Sequence, residues 1–121
     1  MNDHQQILEL LLTYSQSVFD GDVPRLRGTF HPQAALFGEV KGVAYYKTLD
    51  DYLSAVAQRK SPRDVGESFA MKPLAVDVQG PVGMARMHSP MLGFNYIDYL
   101  SLTKQDGQWK IANKTFTHVD A

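Results

Sequence analysis

Carboxylates, imidazoles and phenols are the side chains through which this 121-residue sequence could do chemistry: 13 Asp and Glu, four His and six Tyr, with no Cys. The absence of Cys removes thiolate nucleophiles, disulfides and Cys-ligated metal centres together. Most carboxylates fall at element ends or on polar faces. Asp3, Asp22, Asp50 and Asp51 stand where helices start, Glu9 on the polar side of a helical stretch, and Asp64, Glu67 and Asp106 in loops or turns. Asp98 differs, because it alternates in register with Leu100 and Leu102. Its carboxylate therefore points where those leucines point, and a charge there is costly unless it is paired or hydrated. A carboxyl group in a partly apolar pocket favours its neutral form, the condition for general acid or base work. Asp98 is thus the candidate catalytic residue and the polar end of a candidate pocket.

Tyr14, His31, Tyr96 and Asn113 are the groups placed to orient a polar ligand atom beside it, with Trp109 for stacking and Met87 for adaptable apolar lining. Each has a structural alternative. Asp98 would equally accept hydrogen bonds from Thr115 or Asn113 in a closed internal network, Tyr14 would pack half-buried, and His31 would answer the negative end of a helix dipole. Arg86 and His88 alternate against Met87 and Ser89, and the sequence does not choose which pair faces inward. The four His, at positions 4, 31, 88 and 118, show no metal-ligand spacing, and nothing matches HExxH, a P-loop, GxGxxG or GxSxG. No metal and no cofactor is expected.

The elements that must position these residues follow from periodicity. Ile7, Leu8, Leu11, Leu12, Ser15, Val18 and Phe19 form a helical stripe, started by an Asp3–Gln6 capping pair and stopped at Gly21. Asp22 and Pro24 start a short second helix that Pro32 closes, leaving His31 at its C-terminal end. Ala35–Val40 and Val43–Lys47 read as strands around Lys41-Gly42, and a third helix begins near Thr48 or Asp50 and ends before Ser61-Pro62. Four strands follow, Phe69–Val78, Val82–Met91, Phe94–Lys104 and Gln108–His118, the last two joined by Asp106-Gly107. If that pair is a plain two-residue turn, Leu100 faces Asn113 and Leu102 faces Ile111. Tyr96, Asp98, Trp109, Asn113, Thr115 and Thr117 then share the core face. Ile97, Tyr99, Ala112, Lys114, Phe116 and His118 take the other. Helices first and a meander after make an α+β domain spanning residues 1–121.

The stretches Tyr14…Gly21-Asp22-Val23-Pro24-Arg25-Leu26-Arg27…Phe30-His31-Pro32-Gln33-Ala34-Ala35-Leu36-Phe37-Gly38, then Thr48-Leu49-Asp50-Asp51-Tyr52-Leu53, and Asp98-Tyr99-Leu100-Ser101-Leu102 with Gly107-Gln108-Trp109-Lys110-Ile111-Ala112-Asn113-Lys114-Thr115-Phe116 resemble the nuclear transport factor 2-like superfamily. The likeness is nearest to its SnoaL-like branch of putative lumazine-binding proteins. The resemblance implies a cone-shaped, cystatin-like α+β fold, with helices closing a strongly bent sheet around a pocket, and a homodimer through the outer face of that sheet. In the ketosteroid isomerases of the same superfamily a carboxylate base works opposite a Tyr and a protonated Asp. Asp98, Tyr14 and Tyr96 are the residues here that could stand in, and the sequence offers no second buried acid.

Two function classes are therefore expected. The first is a small-molecule-binding protein with its pocket inside the cone, extending to a cofactor-independent isomerase or dehydratase-like enzyme, whose ligand could be a flat heterocycle. The second is a non-catalytic homodimeric accessory module. Ile97, Tyr99, Ala112 and Phe116 are the expected dimer patch. A net charge of −1 with scattered Lys and Arg argues against nucleic acid. The N-terminus lacks a secretory signal and no apolar run approaches a membrane span, so a cytoplasmic location away from membranes is expected.

Overall fold

A computed structural model describes residues 1–120. Three helices, α1 (Asp3–Asp20), α2 (Val23–Arg27) and α3 (Leu49–Gln58), accompany six strands, β1 (Phe30–Val40), β2 (Val43–Thr48), β3 (Lys72–Gln79), β4 (Val82–Met91), β5 (Phe94–Gln105) and β6 (Gln108–His118). The strands form one sheet in the order β2-β1-β6-β5-β4-β3, antiparallel throughout except where β1 runs parallel to β6. The helices cover its concave face, giving the cone-shaped α+β architecture that the sequence predicts. Among the described residues no helix is long and apolar enough to cross a membrane.

α1 buries Ile7, Leu11, Tyr14, Ser15 and Val18 along one side. Its capping box lies one residue earlier than the Asp3–Gln6 pair suggests: Asn2 accepts from the Gln5 amide while the Gln5 side chain accepts from the Asn2 amide. Asp3 is thereby free for another task. Its Oδ1 accepts from Lys104 Nζ at 2.8 Å and from Trp109 Nε1 at 3.0 Å, tying the start of α1 to the β5–β6 hairpin. Gly21 (φ 68°) closes the helix in the left-handed region, as expected.

α2 ends at Gly28 rather than at Pro32, and the chain enters β1 at Phe30. Pro32 is tolerated in that strand because the β1–β6 pairing is interrupted between Phe30 and Ala35, where no ladder amide is needed. His31 accordingly stands in β1, not at a helix end.

The largest departure from the sequence reading is in β6. Leu102 faces Ile111 as expected, but Ser101 faces Asn113, so Ala112 is an extra residue with no partner. Such a bulge shifts the alternation by one beyond it. Asp98 therefore opposes Phe116 and lies diagonal to Lys114, instead of opposing Thr115 and lying diagonal to Asn113. Lys114 and Phe116 turn into the cone. Asn113, Thr115 and Thr117 turn out. The expected outer patch changes with them: Ile97 and Tyr99 remain on the convex face, Phe116 does not, and Ala112 sits at the bulge. In β4, Met87 pairs with Asp98 and Ser89 with Tyr96, so this pair faces inward and Arg86 and His88 face outward.

Candidate functional site

A cavity of about 60 Å³ lies between α1, the end of α3 and the concave sheet. That is several times the ~10–15 Å³ that holds one water, and well below the ~300–1,000 Å³ of drug-sized ligand sites. α1 contributes Tyr14, one turn before Val18; β2 contributes Tyr45; α3 contributes Tyr52 and, just past its last turn, Arg59. The sheet supplies Ser89, Tyr96, Asp98, Lys114 and Phe116 from three adjacent strands.

The charged centre is built on β5 and β6. Asp98 is 2% exposed, and its Oδ2 accepts from Ser89 Oγ at 2.9 Å and from the Tyr14 hydroxyl at 3.5 Å. Both bonds fall on Oδ2 and neither on Oδ1. Lys114, 6% exposed, sits with its ammonium 5.4, 5.1 and 5.2 Å from the ring centroids of Tyr14, Tyr52 and Phe116. Burial by itself would depress the ammonium, but the oxygens of Tyr14, Tyr52 and Asp98 outweigh it and hold Lys114 well above its ordinary value. Cation–π attraction to three rings adds to this. Burial likewise pushes the Tyr14 phenol well above its usual range and Tyr45 up to about 12. The pocket thus presents the Asp98 carboxyl group, the Lys114 ammonium, the Arg59 guanidinium and the phenols of Tyr14, Tyr45, Tyr52 and Tyr96, of which Tyr14 donates to Asp98.

Of the residues singled out from the sequence, Tyr14, Tyr96 and Asp98 meet at this cavity. Met87 shares the face of Asp98 but is packed in the core rather than along the cavity. His31 lies apart, its Nδ1 accepting from the Gln33 amide. Trp109 is buried at the α1 start, its indole N–H taken by Asp3. Asn113 is on the convex face, because the bulge at Ala112 reverses its side. Lys114, Arg59, Tyr45, Tyr52 and Phe116 are lining residues that alternation missed, and Ser89 is one whose side it left open. One signal was available: beyond Ala112 the set Asn113, Thr115, Thr117 is wholly polar and suits solvent, whereas the alternate set carries Phe116. Among the described residues no group of three His, Asp or Glu is arranged to hold a metal ion.

The family described as putative lumazine-binding matches residues 2–117, nearly the whole chain and every element of the site. The chain belongs to that family. Solved NTF2-like structures share its fold: a protein of unknown function from Silicibacter pomeroyi superposes with a TM-score of 0.83 at 21% identity, covering 98% of this chain and 100% of that one. A Shewanella baltica NTF2-like protein of unknown function gives 0.83 at 22% identity, covering 98% and 95% of the two chains. A ketosteroid isomerase-like protein from Erwinia carotovora gives 0.74 at 14% identity over 100% of both. In sequence, this putative lumazine-binding family member is similar to the aldolase FrzH of Cladobotryum sp., 25% identical over 118 residues, covering 95% of this chain and 90% of that protein. The fold is thereby that of the NTF2-like superfamily, an architecture whose function lies in its site.

Proposed function

We propose that this protein binds a small carbonyl compound inside the cone and, without a cofactor, moves a proton on the carbon next to the carbonyl. Asp98 Oδ1 takes the proton as general base. The Lys114 ammonium and a phenol hydroxyl stabilise the negative charge that develops on the carbonyl oxygen. The observation that carries this reading is the buried Asp98–Lys114 diagonal on one cavity wall, a base and a positive charge on adjacent strands in a largely buried site. Charge stabilisation of this type is strongest where water is excluded. The names of two similar proteins agree with it, since aldol and ketosteroid isomerisation chemistry both pass through an enolate or its equivalent. The cavity volume favours a ligand of few heavy atoms over a bicyclic heterocycle, and with Trp109 elsewhere only the lining tyrosines and Phe116 could stack on one.

The test is exchange of the protons beside the carbonyl in D2O, followed by NMR with a panel of C3–C6 ketones and oxo acids. Wild type is expected to accelerate exchange for at least one compound, and Asp98→Asn to lose about a hundredfold or more of that acceleration. Equal exchange by both proteins, or none by either, overturns the assignment.

A surface role is favoured by a different observation. Tyr46, Phe37 and Tyr99, 61%, 45% and 48% exposed, stand in one row across the convex face with Thr115 between the last two. We propose that two copies pair through this row.

A further inference from the structure

Arg59 follows the last turn of α3, its backbone N–H donating to Ala55 O at 3.2 Å, and its side chain forms part of the cavity wall. Both Nε and Nη2 are buried with no hydrogen-bond partner, and so is the Tyr52 hydroxyl on the same wall. These are donors aimed at nothing the chain supplies. The salt bridges among the described residues use Arg27, Arg63 and Lys104 instead. Two buried N–H groups without an acceptor on a half-buried Arg are unfavourable for folding, so they stand out in a fold whose other buried polar groups are nearly all satisfied.

The identity of the two unmet atoms is informative. Nε–H and Nη2–H lie along one edge of the guanidinium plane and point the same way, the edge that grips both oxygens of a planar anion in parallel. The ionisable lining is Arg59 and Lys114 against Asp98, one positive charge in excess. A carboxylate matches both facts: it is planar, has two oxygens and carries one negative charge, whereas a phosphate would bring more charge and bulk into a cavity of about 60 Å³.

We propose that the Arg59 edge, with the Tyr52 hydroxyl, is the seat of a carboxylate carried by the ligand. The substrate class is then small oxo acids, the carboxylate held at Arg59 and the carbonyl turned to Asp98 and Lys114. This rests on the reading above that the cavity takes a carbonyl compound, and it adds the second functional group. Arg59 binds and orients; no bond changes at it.

The experiment uses pyruvate, 2-oxobutanoate and 4-oxopentanoate, each beside its methyl ester, titrated into the ¹⁵N-labelled protein while the Arg59 Nε–H resonance is followed. At least one acid is expected to bind about tenfold or more tightly than its ester and to shift that resonance, with the preference abolished in Arg59→Gln and reduced in Arg59→Lys. Asp98→Asn, which leaves the carboxylate seat intact, should keep the preference. Esters binding as well as acids, or a preference that survives in Arg59→Gln, would overturn the carboxylate seat while leaving the carbonyl pocket standing. Silence from acids and esters alike would overturn both. Arg59→Gln should also melt no lower than wild type, since the native head group has no partner to lose at Nε or Nη2. A clearly lower melting temperature would make Arg59 a structural residue and defeat the proposal.

Discussion

Lys114 stays charged where burial alone would neutralise it, because the phenol oxygens and Asp98 face it, and the phenols of Tyr14, Tyr45 and Tyr96 stay protonated because burial disfavours their charged form. That has a pH signature. Tyr14 and Lys114 are held well above their ordinary values, Tyr96 is raised by burial, and Tyr45 is pushed to about 12. An unfolded chain gives up these protons near pH 10. The folded protein retains them longer, so it binds more protons than the unfolded chain between about pH 10 and the folded values, and its stability falls as pH rises through that window. Below pH 10 the contribution is complete. Denaturant midpoints are expected to be flat from about pH 8 to 9.5 and to drop above 10, less steeply in Tyr14→Phe. A midpoint unchanged up to pH 11.5 would contradict the assignment. Asp98, Tyr14 and Tyr96 were legible in the sequence because each sits on an element whose alternation or helical period is unbroken. Lys114 was not, because its side depends on one unpaired residue, and Arg59 was not, because nothing local says where the end of a helix is aimed.

Turn and cap chemistry made most elements readable: Asp106-Gly107, Gly21, Thr48 and the Lys41-Gly42 tip mark the ends of helices and strands where they occur. Interruptions of pairing were not readable. A bulge needs no special residue type, and Ala112 carries no mark that sets it apart from its neighbours. Gly38 is the complementary case, a small residue whose reason appears only in three dimensions. It pairs with Phe116 in β6 and Tyr45 in β2, whose rings meet edge to face at 4.8 Å on the cavity side. A Cβ on Gly38 would collide with the Phe116 backbone carbonyl oxygen and stand 2.8 Å from carbons of the Phe116 ring, too close for any side chain to fit without a shift of β6. Gly38→Ala is therefore expected to cost roughly 1–3 kcal/mol in urea unfolding and to displace the Phe116 wall. A variant as stable as wild type would show that β1 and β6 do not approach this closely at Gly38.

The convex face carries the row of exposed aromatics Tyr46, Phe37 and Tyr99 on which the proposed pairing of two copies rests. Exposed aromatics in a row across a flat strand surface are unusual for a monomer. Because the same patch would serve both copies, the contact should be two-fold and self-complementary. Light scattering at about 10 µM is expected to give a dimer, and Phe37→Glu with Tyr99→Glu a monomer, since charges at the centre of an apolar contact are not compensated there. A monomeric wild type would sink the pairing. The chemistry is not expected to depend on it, because the groups assigned to catalysis all come from one chain.

The bulge in β6 separates two properties of the pocket that usually change together. Downstream of it, Lys114 still opposes Leu100 and Phe116 still opposes Asp98, so removing the unpaired Ala112 would leave the same side chains turned inward. What would go is the extra bend and twist that a bulge gives its strand. What β6 contributes to the cavity is thus written in the residues after the bulge, and the bend of that wall in the bulge itself. The curvature of that wall can therefore change without any change in the side chains it presents, through the gain or loss of a single residue.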